Sequence, residues 1–469
     1  MDFLNNHNVM LQTVLTYMGM TFFCLFLWTL KKSAPEYRPW PNRMFKMAST
    51  LMIVIFLTLV SYQARWQLFG FFSTDFLRTQ RGFDPRDDIL GTRFHRGEIM
   101  DWKHRTLAVD RKHSGRLIRE YPLGPAGSHV VGYAHPVYGS AGLENSLQNL
   151  LMGRSVQTPA DAFRLSANVF FHGKLRGNPV VTTIDRDLQK AAYDALAGHT
   201  GAIVALDPRN GNIRAMVSRP GYDPGKLDKT TWKLLLNRKD SPFLNRSCQG
   251  LYPPGSTFKT LVAASALEKG LNPVVVCTSK GYYCGPADPP VKDYYHYHRK
   301  GFKGHGSINM SEALTESCNV YFAHLANELK AENILKTARL WGCDREVMFN
   351  GPGLPVEAGR LPEHKSWHKA RTARLGIGQD DLLLTPLHMA LMAGAIGNGG
   401  LMYYPRLVEG REKILWNTVM DHRTANRVSR MMIKVVETGT GQKAKVTGIV
   451  VGGKTGTAEN ATSGSHALF

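Results

Sequence analysis

Two long apolar stretches without a charged residue lie near the N-terminus of this 469-residue chain. They span residues 10–30 and 47–64 and contain no Asp, Glu, Lys or Arg. A helix of about 20 apolar residues crosses the roughly 30 Å core of a bilayer, where the backbone has few alternatives to a helix. The first stretch lacks the basic start and small-residue cleavage site of a signal peptide. The sequence therefore predicts two transmembrane helices and a membrane anchor over residues 1–65.

The segment between these stretches is basic. Residues 31–46 contain five Lys or Arg residues against one acid, Glu36. The positive-inside rule places such a loop in the cytoplasm. Both ends of the chain then face outward, so we expect an inner (cytoplasmic) membrane protein whose main part is extracytoplasmic.

The net charge of the chain indicates which classes of binding partner to expect. With 58 Lys and Arg against 37 Asp and Glu, the formal net charge is +21. A positive charge of this size favours binding to anionic lipid head groups or to an anionic wall polymer. Alternatively, it only keeps the protein soluble. Zinc-finger spacing, RNA-recognition signatures and a continuous basic tract are absent from the sequence, so nucleic acid is not expected as a partner.

The chemistry of the chain centres on a serine and a lysine three residues apart. Pro253-Pro-Gly255 cannot continue a helix, whereas apolar residues recur at helical spacing from 257 to 270. Ser256 is therefore expected in a first helical turn, with Lys259 on the same face, where its amine can approach the Ser256 hydroxyl. A desolvated lysine can lose its proton near neutral pH and act as a general base. The pair predicts a serine nucleophile.

Two further motifs follow this pair. Ser317-Cys-Asn319 lies in an amphipathic run, residues 310–329, that predicts one continuous helix. Lys454-Thr-Gly456 follows the strand-like residues 448–452. The order S-x-x-K, S-x-N, K-T-G is the signature of penicillin-binding proteins and serine β-lactamases.

The flanking sequence extends the likeness. Over about residues 90–469 the chain resembles monofunctional (class B) penicillin-binding proteins, the peptidoglycan D,D-transpeptidases. The resemblance rests on residues 96–101, 119–122, 129–133, 139–144, 245–246, 252–259, 317–322, 376–379, 385–386 and 453–458. Three other places repeat the motif spacings without matching flanks: Ser366 with Lys369, Ser307 with Asn309, and Ser166 with Asn168.

The resemblance implies a serine acyl-enzyme. Ser256 would be the nucleophile and Lys259 its base, with the backbone N–H groups of Ser256 and Thr457 as oxyanion hole. Ser317 would relay a proton to the leaving amine, and Asn319 would orient the substrate amide. The groups expected around the terminal carboxylate are Lys454, Thr455, Gly456 and Thr457. The implied substrates are peptidoglycan stem peptides ending in D-Ala-D-Ala, with β-lactam antibiotics as inhibitors; neither a metal nor a cofactor is implied.

The resemblance also implies an architecture. We expect an α+β penicillin-binding transpeptidase fold, an antiparallel sheet with helices on both sides, over residues 181–469. A small non-catalytic pedestal domain is expected over residues 66–180, where Arg96 and Glu144 form an ion pair or contact a partner. About 115 residues are too few for a glycosyltransferase domain. The family pattern continues with a strand and a helix beyond Phe469, so the C-terminal end is expected to be truncated.

Local patterns in the second half predict individual elements. A helix is expected over residues 187–196, two paired strands over 201–206 and 212–218, and a helix from Pro386. The Tyr- and His-rich residues 293–298 are expected as an exposed loop.

The close pair of cysteines leaves three alternatives open. Cys277 and Cys284 could form a disulfide outside the cytoplasm or remain free thiols. They could also bind a metal with nearby histidines, namely His296, His298 and His305.

Three functions fit the motifs. The first is a membrane-anchored D,D-transpeptidase that cross-links stem peptides in elongation or division beside a polytopic lipid-II polymerase. The second is a D,D-carboxypeptidase or β-lactamase, which the missing class A deacylation motif disfavours. The third is a non-catalytic β-lactam sensor or wall-assembly scaffold, although residues 31–46 are too few for a cytoplasmic effector domain. The transpeptidase is the expected function.

Overall fold

The computed structural model describes residues 47–58, 95–113, 116–153, 177–458 and 466–469. It divides the chain into two units, Met1–Pro85 and Arg86–Phe469. In the first unit the described residues form helix α1 (47–58), which covers part of the predicted second span. The predicted first span, residues 10–30, lies outside the described residues. Within the described part of the chain, no helix is both long and apolar enough to cross a bilayer.

The second unit contains both helices and strands, with five successive helices between strands β10 (Gly306–Ile308) and β11 (Leu401–Tyr403). The further helices are α2 (Gly142–Ser146), α3 (Gln148–Leu151), α4 (Arg186–Ala195), α5 (Lys229–Asn237), α6 (Lys259–Glu268), α7 (Tyr294–His298), α8 (Met310–Thr315), α9 (Asn319–Leu329), α10 (Ala331–Leu340), α11 (Lys369–Gly376), α12 (Pro386–Gly397) and α13 (His422–Glu437). Short 3₁₀ turns are η1 (Gly124–Ala126), η2 (Pro224–Lys226), η3 (Gly255–Phe258) and η4 (Gln442–Ala444).

The strands form one four-stranded sheet and several two-stranded ones. They are β1 (Ile99–Met100), β2 (Thr106–His113), β3 (Arg116–Glu120), β4 (Ala134–His135), β5 (Gly139–Ser140), β6 (Val180–Val181), β7 (Gly201–Asp207), β8 (Asn212–Arg219), β9 (Val275–Cys277), β10 (Gly306–Ile308), β11 (Leu401–Tyr403), β12 (Leu415–Thr418), β13 (Gly456–Ala458) and β14 (His466–Leu468). The larger sheet has the order β3-β2-β1-β6, in which β6 is parallel to β1 and the other pairs are antiparallel. The α+β class is thus confirmed.

A network of buried salt bridges connects the four-stranded sheet to helix α2. Glu144 is fully buried, and its carboxylate accepts from Arg96 Nε at 2.5 Å and from Arg119 Nε at 2.7 Å. Arg119 also reaches Asp110 at 3.1 Å. Burial alone would raise the pKa of Glu144, but the two guanidinium groups outweigh it and lower that pKa. The pair predicted between Arg96 and Glu144 is therefore an internal structural contact.

The antiparallel hairpin of β7 and β8 has packing on both faces. Ala215 and Val217 of β8 pack with Ala192 of α4 on one face. Met216, which points to the opposite face, belongs to the main core. On that side Leu206 of β7 lies against Gly394 of α12. The predicted hairpin, the helix before it and the helix from Pro386 are all confirmed.

Helix α6 forms the centre of the core. Each residue from Lys259 to Leu267 is buried, as expected of a helix enclosed on all sides. It packs against α9, α10 and α13. The first residue of this enclosed helix is a lysine, which the surrounding structure must accommodate.

The predicted strand at 448–452 and the predicted loop at 293–298 differ from the structure. Residues 448–452 are not a strand, because Gly448 adopts φ of 77° in a turn that bridges Val446 to Ile449. The strand of this region, β13, begins only at Gly456 and pairs with β14. The expected exposed loop at 293–298 is helix α7, and its N-cap residue Asp293 is buried.

The cysteine pair is not a disulfide in the structure. Cys277 and Cys284 are both buried free thiols. Cys284 Sγ faces the carbonyl of Tyr282, whereas Cys277 Sγ faces Asp293 and His305. The two thiols point into different hydrophobic clusters, which explains why neighbours in sequence do not pair.

Candidate active site

The predicted nucleophile lies in a tight turn at the entrance to helix α6. Gly255 adopts φ of 52° and opens the 3₁₀ turn η3, in which Ser256 is half-buried. Thr257 Oγ1 donates to the carbonyl of Pro254 at 2.7 Å and fixes the turn. The helical turn expected at Ser256 is therefore present, in its tighter 3₁₀ form.

A second glycine supports this turn from behind. Gly378 accepts a 2.9 Å hydrogen bond from the Gly255 N–H. A Cβ at Gly378 would lie 1.9 Å from the Gly255 carbonyl oxygen, and Gly378 itself has φ of 74°. Only glycine permits both the backbone conformation and this approach.

The amine of Lys259 bridges two parts of the S-x-N motif. Lys259 Nζ donates to the Ser317 carbonyl and to Asn319 Oδ1, each at 2.7 Å. Its side chain is fully buried, and the amine lies 5.5 Å from the centroid of the Phe322 ring. Burial lowers the pKa of Lys259 to about 8, although the charge of Asp293 opposes that shift. The lowered pKa increases the fraction of this amine that is neutral near physiological pH.

The single helix predicted over residues 310–329 is wrong, because it breaks at Ser317. Helix α8 ends at Thr315, Ser317 adopts φ of 58°, and α9 starts at Asn319. Cys318 caps the new helix, since its Sγ accepts from the Tyr321 N–H at 3.3 Å. The break turns the Ser317 carbonyl toward Lys259 and its hydroxyl toward the K-T-G segment.

Asn319 is held by three contacts. Its Oδ1 accepts from Lys259, its Nδ2 donates to the Lys292 carbonyl at 2.9 Å, and its backbone N–H donates to Asp293. The amide orientation is therefore fixed by the chain that precedes helix α7. Sequence reasoning did not single out Asp293, because it belongs to no motif and its burial is a property of the fold.

Lys454 reaches the same serine from the other side. Its Nζ donates to Ser317 Oγ at 2.7 Å and to the Thr455 carbonyl at 2.8 Å. Burial and the charge of Lys259 both lower the pKa of Lys454 well below its usual value. Two buried amines thus converge on Ser317, one on its carbonyl and one on its hydroxyl.

The rest of the K-T-G segment borders the nucleophile turn. A Cβ at Gly456 would lie 2.9 Å from Thr257 Cγ2 and 3.2 Å from the Pro254 carbonyl oxygen. Thr455 Oγ1 hydrogen-bonds Thr440 Oγ1 at 2.7 Å, and the side chain of Thr457 is exposed. The structure therefore brings the three motifs together around Ser317 and the turn of Ser256.

The alternative motif positions do not share this arrangement. Ser366 and Lys369 are exposed at the start of α11. Ser307 is exposed in β10, and Asn309 is the N-cap of α8, where it forms a capping box with Glu312. The remaining pair, at 166 and 168, lies outside the described residues.

Four potential metal ligands meet directly behind the S-x-N turn. One ligand atom from each of Cys277, Asp293, His305 and Cys318 lies within 4.8 Å of all the others. The His305 Nδ1 atom faces this cluster, 3.4 Å from Cys277 Sγ and 3.5 Å from Asp293 Oδ2, whereas its Nε2 is buried without a hydrogen-bond partner. Two thiolates, one imidazole and one carboxylate suit a tetrahedral Zn²⁺-type ion. The cluster contains only two of the donors grouped from the sequence, and the others considered there lie outside it: Cys284, His296 and His298.

A bound ion here would act structurally, through this chain's own residues. Asp293 accepts from the Asn319 N–H, and Cys318 sits between the two functional residues of the motif. Hydrogen bonds from Cys318 and His305 lower the pKa of Cys277, although its burial opposes that shift. Through Asp293 and Cys318, an ion bound in this cluster would hold the backbone of the S-x-N turn in place.

Models of known families match both halves of the second unit. Residues 201–468 match the penicillin-binding protein transpeptidase domain. Residues 96–169 match the penicillin-binding protein A dimerisation domain.

Characterised relatives agree with these matches. The peptidoglycan D,D-transpeptidase PbpA of Mycolicibacterium smegmatis is 31% identical over 89% of this chain and 87% of its own length. The peptidoglycan D,D-transpeptidase MrdA of Acinetobacter baumannii is 30% identical over 73% of this chain. This chain spans 57% of the length of that relative.

Solved structures give the same result. The crystal structure of PBPA from Mycobacterium tuberculosis superposes with a TM-score of 0.70 at 28% identity, covering 80% of this chain and 89% of that one. Its acyl-enzyme complex with imipenem gives a TM-score of 0.71 at 29% identity, with the same coverage. From its matched domains, its relatives and the convergence of its three motifs, this chain belongs to the penicillin-binding protein transpeptidase family.

Proposed function

We propose that this chain is a penicillin-sensitive peptidoglycan D,D-transpeptidase that works through a Ser256 acyl-enzyme. The observation that carries the proposal is the buried Lys259 amine, which has a lowered pKa and joins the nucleophile helix to the S-x-N turn. A surface lysine at this spacing, such as Lys369, has no such environment.

Acylation begins at the Ser256 hydroxyl. Its oxygen attacks the carbonyl carbon between the two terminal D-Ala residues, and neutral Lys259 takes its proton. The backbone N–H groups of Ser256 and Thr457 stabilise the tetrahedral oxyanion; one such donor is typically worth about 3 kcal/mol. Collapse of this intermediate breaks the C–N bond and releases D-Ala.

The leaving amine needs a proton at that moment. Ser317 Oγ supplies it and is resupplied by Lys454, to which it is hydrogen-bonded at 2.7 Å. An amine of a neighbouring stem peptide then attacks the ester and forms the cross-link. As the ester C–O bond breaks, Ser256 Oγ regains its proton from Lys259, and the proton lost by the attacking amine passes through Ser317 Oγ to Lys454.

The K-T-G segment positions the donor peptide. Lys454 supplies positive charge to the terminal carboxylate, and the hydroxyls of Thr455 and Thr457 donate to it. Gly456 lets β13, and the donor peptide bound along it, lie close to the nucleophile turn, because a Cβ at this position would lie 2.9 Å from Thr257 Cγ2. Asn319 orients the penultimate amide.

The sequence also supports a proposal for where this activity takes place and with which partner. The two apolar stretches anchor the chain in the inner membrane of a bacterium, with the catalytic domain outside the cytoplasm. There it works beside a polytopic lipid-II polymerase, which would make the glycan strands whose stem peptides this chain cross-links.

The test is a time course of labelled penicillin on membranes that contain the full chain. We expect a long-lived adduct that maps to Ser256 and is absent from Ser256→Ala. Ser366→Ala is the matched control, because Ser366 has the same S-x-x-K spacing on the surface, and it should label normally. Fast release of the label would instead indicate a hydrolase, and absence of any adduct would refute the acyl-enzyme.

A further inference from the structure

An open cleft of about 930 Å³ lies beside the S-x-N turn. One side of it is helix α8 with the residue that follows, Glu316, and another side is the C-terminal end of helix α13. Residues between 299 and 308 complete the lining. Its volume lies in the range of ligand-binding sites, about 300 to 1,000 Å³. We call it the α8–α13 cleft.

The cleft borders the groups that the proposed function assigns to the departing D-Ala. Glu316 directly precedes Ser317, the proton relay. Thr315, which also lines the cleft, accepts at its carbonyl from the Thr440 N–H at 3.2 Å. Thr440 Oγ1 in turn hydrogen-bonds Thr455 Oγ1 of the K-T-G segment at 2.7 Å. The cleft therefore adjoins both the relay and the segment that holds the terminal carboxylate.

The acceptor amine must approach from this same side. Its attack on the ester is the chemical reverse of acylation, with the acceptor amine in the place of the departing D-Ala. The amine therefore enters along the path by which D-Ala leaves, beside Ser317 and Thr455. The α8–α13 cleft adjoins that path and has room for a peptide side chain.

The charges of the cleft suit an ammonium group and a carboxylate. Glu316 and Glu437 provide carboxylates, and the C-terminal end of the 16-residue helix α13 adds negative partial charge. Residues 299–303 contribute three exposed cations, Arg299, Lys300 and Lys303. Among the described residues, none forms a salt bridge with any of these five groups. Lys434, one turn before Glu437, is the cation on the α13 side.

We propose that the α8–α13 cleft binds the acceptor stem peptide, with its ammonium group beside Glu316 and a carboxylate on the basic residues 299–303. The preferred acceptor is then an amine that shares its carbon with a carboxylate, as at the side-chain end of 2,6-diaminopimelate. A lysine side chain has the amine without that carboxylate. The inference rests on the proposed function, which supplies the acyl-enzyme that the amine resolves.

The acceptor loses two protons on the way to the amide. It arrives as an ammonium ion and releases the first proton to solvent when it moves from Glu316 to the ester. The second leaves as the C–N bond forms and the ester C–O bond breaks, and it passes through Ser317 Oγ to Lys454. Glu316 therefore binds and positions the amine and is not its base.

The test measures how the acyl-enzyme divides between water and an amine. The full chain in detergent is acylated with a thioester of N-acyl-D-alanine, and the hydrolysed and aminolysed products are quantified by mass spectrometry. The acceptors are two synthetic tripeptides that differ only in their last residue, 2,6-diaminopimelate or lysine. Both products come from one acyl-enzyme, so their ratio does not depend on how fast it forms. The diaminopimelate tripeptide should be used about 10-fold better, the typical effect of one more charge-assisted contact.

Variants on the two sides of the cleft should respond differently. Glu316→Gln should lower the ratio of transfer to hydrolysis about 10-fold for both tripeptides below saturation. Lys300→Gln combined with Lys303→Gln should lower it more for the diaminopimelate tripeptide than for the lysine one. Glu332→Gln and Lys233→Gln are the matched controls, because both positions are exposed and outside the cleft, and they should leave the ratios unchanged. Equal use of the two tripeptides, or unchanged ratios in the cleft variants, would overturn the proposal.

Photocrosslinking separates a failure of this subsite from a failure of the proposed function. The diaminopimelate tripeptide, with a diazirine at its N-terminus, is irradiated with the Ser256→Ala chain, which lacks the nucleophile, and the labelled peptides are mapped. Label should fall within residues 299–316 and 434–438 and should weaken in the further variant Glu316→Gln. If the thioester acylates no serine, the proposed function fails, while label in the cleft still supports the subsite. Normal transfer with the label elsewhere would overturn the subsite alone.

Discussion

Replacement of Asn319 by aspartate tests whether Lys259 is the base. Asn319 Oδ1 lies 2.7 Å from Lys259 Nζ, so Asn319→Asp places a carboxylate against that amine without changing the size of the side chain. An opposite charge at this range raises a lysine pKa by about 1 to 3 units. Starting from about 8, the neutral fraction at pH 7 should fall about 10- to 1000-fold. Acylation at pH 7 should slow by the same factor.

The assay is the second-order rate of acylation by a fluorescent penicillin between pH 6 and pH 11. In the unmodified chain the rate should rise with pH and level off above about 8, because only neutral lysine accepts a proton. In Asn319→Asp the rise should move to higher pH and reach a similar plateau. Asn426→Asp is the control, because it makes the same charge change at an exposed position of α13. A profile that coincides with the unmodified one would refute Lys259 as base, and a rate depressed equally at every pH would indicate distortion instead.

Two further predictions concern the frame of the site. Gly378→Ala should abolish penicillin labelling and lower the melting temperature strongly, because its Cβ would lie 1.9 Å from the Gly255 carbonyl oxygen. Gly270→Ala is the control, because Gly270 has a similar φ but nothing lies within 4 Å of its Cβ position. This control should lower the free energy of unfolding by only about 1 kcal/mol. Glu144→Gln should lower the free energy of unfolding in denaturant by about 3 to 5 kcal/mol, because two buried arginines lose their counter-charge. The control is Glu332→Gln at an exposed position, which should change the free energy of unfolding by less than about 0.5 kcal/mol. Equal effects of the two glycine variants, or of the two glutamine variants, would contradict these accounts.

The motifs were predictable because each has a local signature. The two prolines and glycine before Ser256 mark a turn, and the Asp207–Gly211 turn separates two apolar runs that pair as β7 and β8. These signals depend on residues close together in the chain. Their order then indicated the family, and the structure brings the three motifs together.

Other features depend on contacts between distant segments. The break at Ser317 escaped prediction because the apolar periodicity continues across it and the residue with positive φ is a serine. Cys277 was grouped with Cys284 by proximity in sequence, whereas strand register and the break at Ser317 place it beside His305 and Cys318. The buried state of Asp293 likewise arises from packing that local sequence does not encode.

The left-handed backbone at Ser317 has an evolutionary consequence. Glycine adopts this conformation freely, whereas a residue with a Cβ sits there at a cost of about 1 kcal/mol. Glycine would nevertheless remove the hydroxyl that Lys454 contacts. Residue 317 is therefore a position where selection for stability would favour glycine, whereas selection for the proposed proton relay would favour serine.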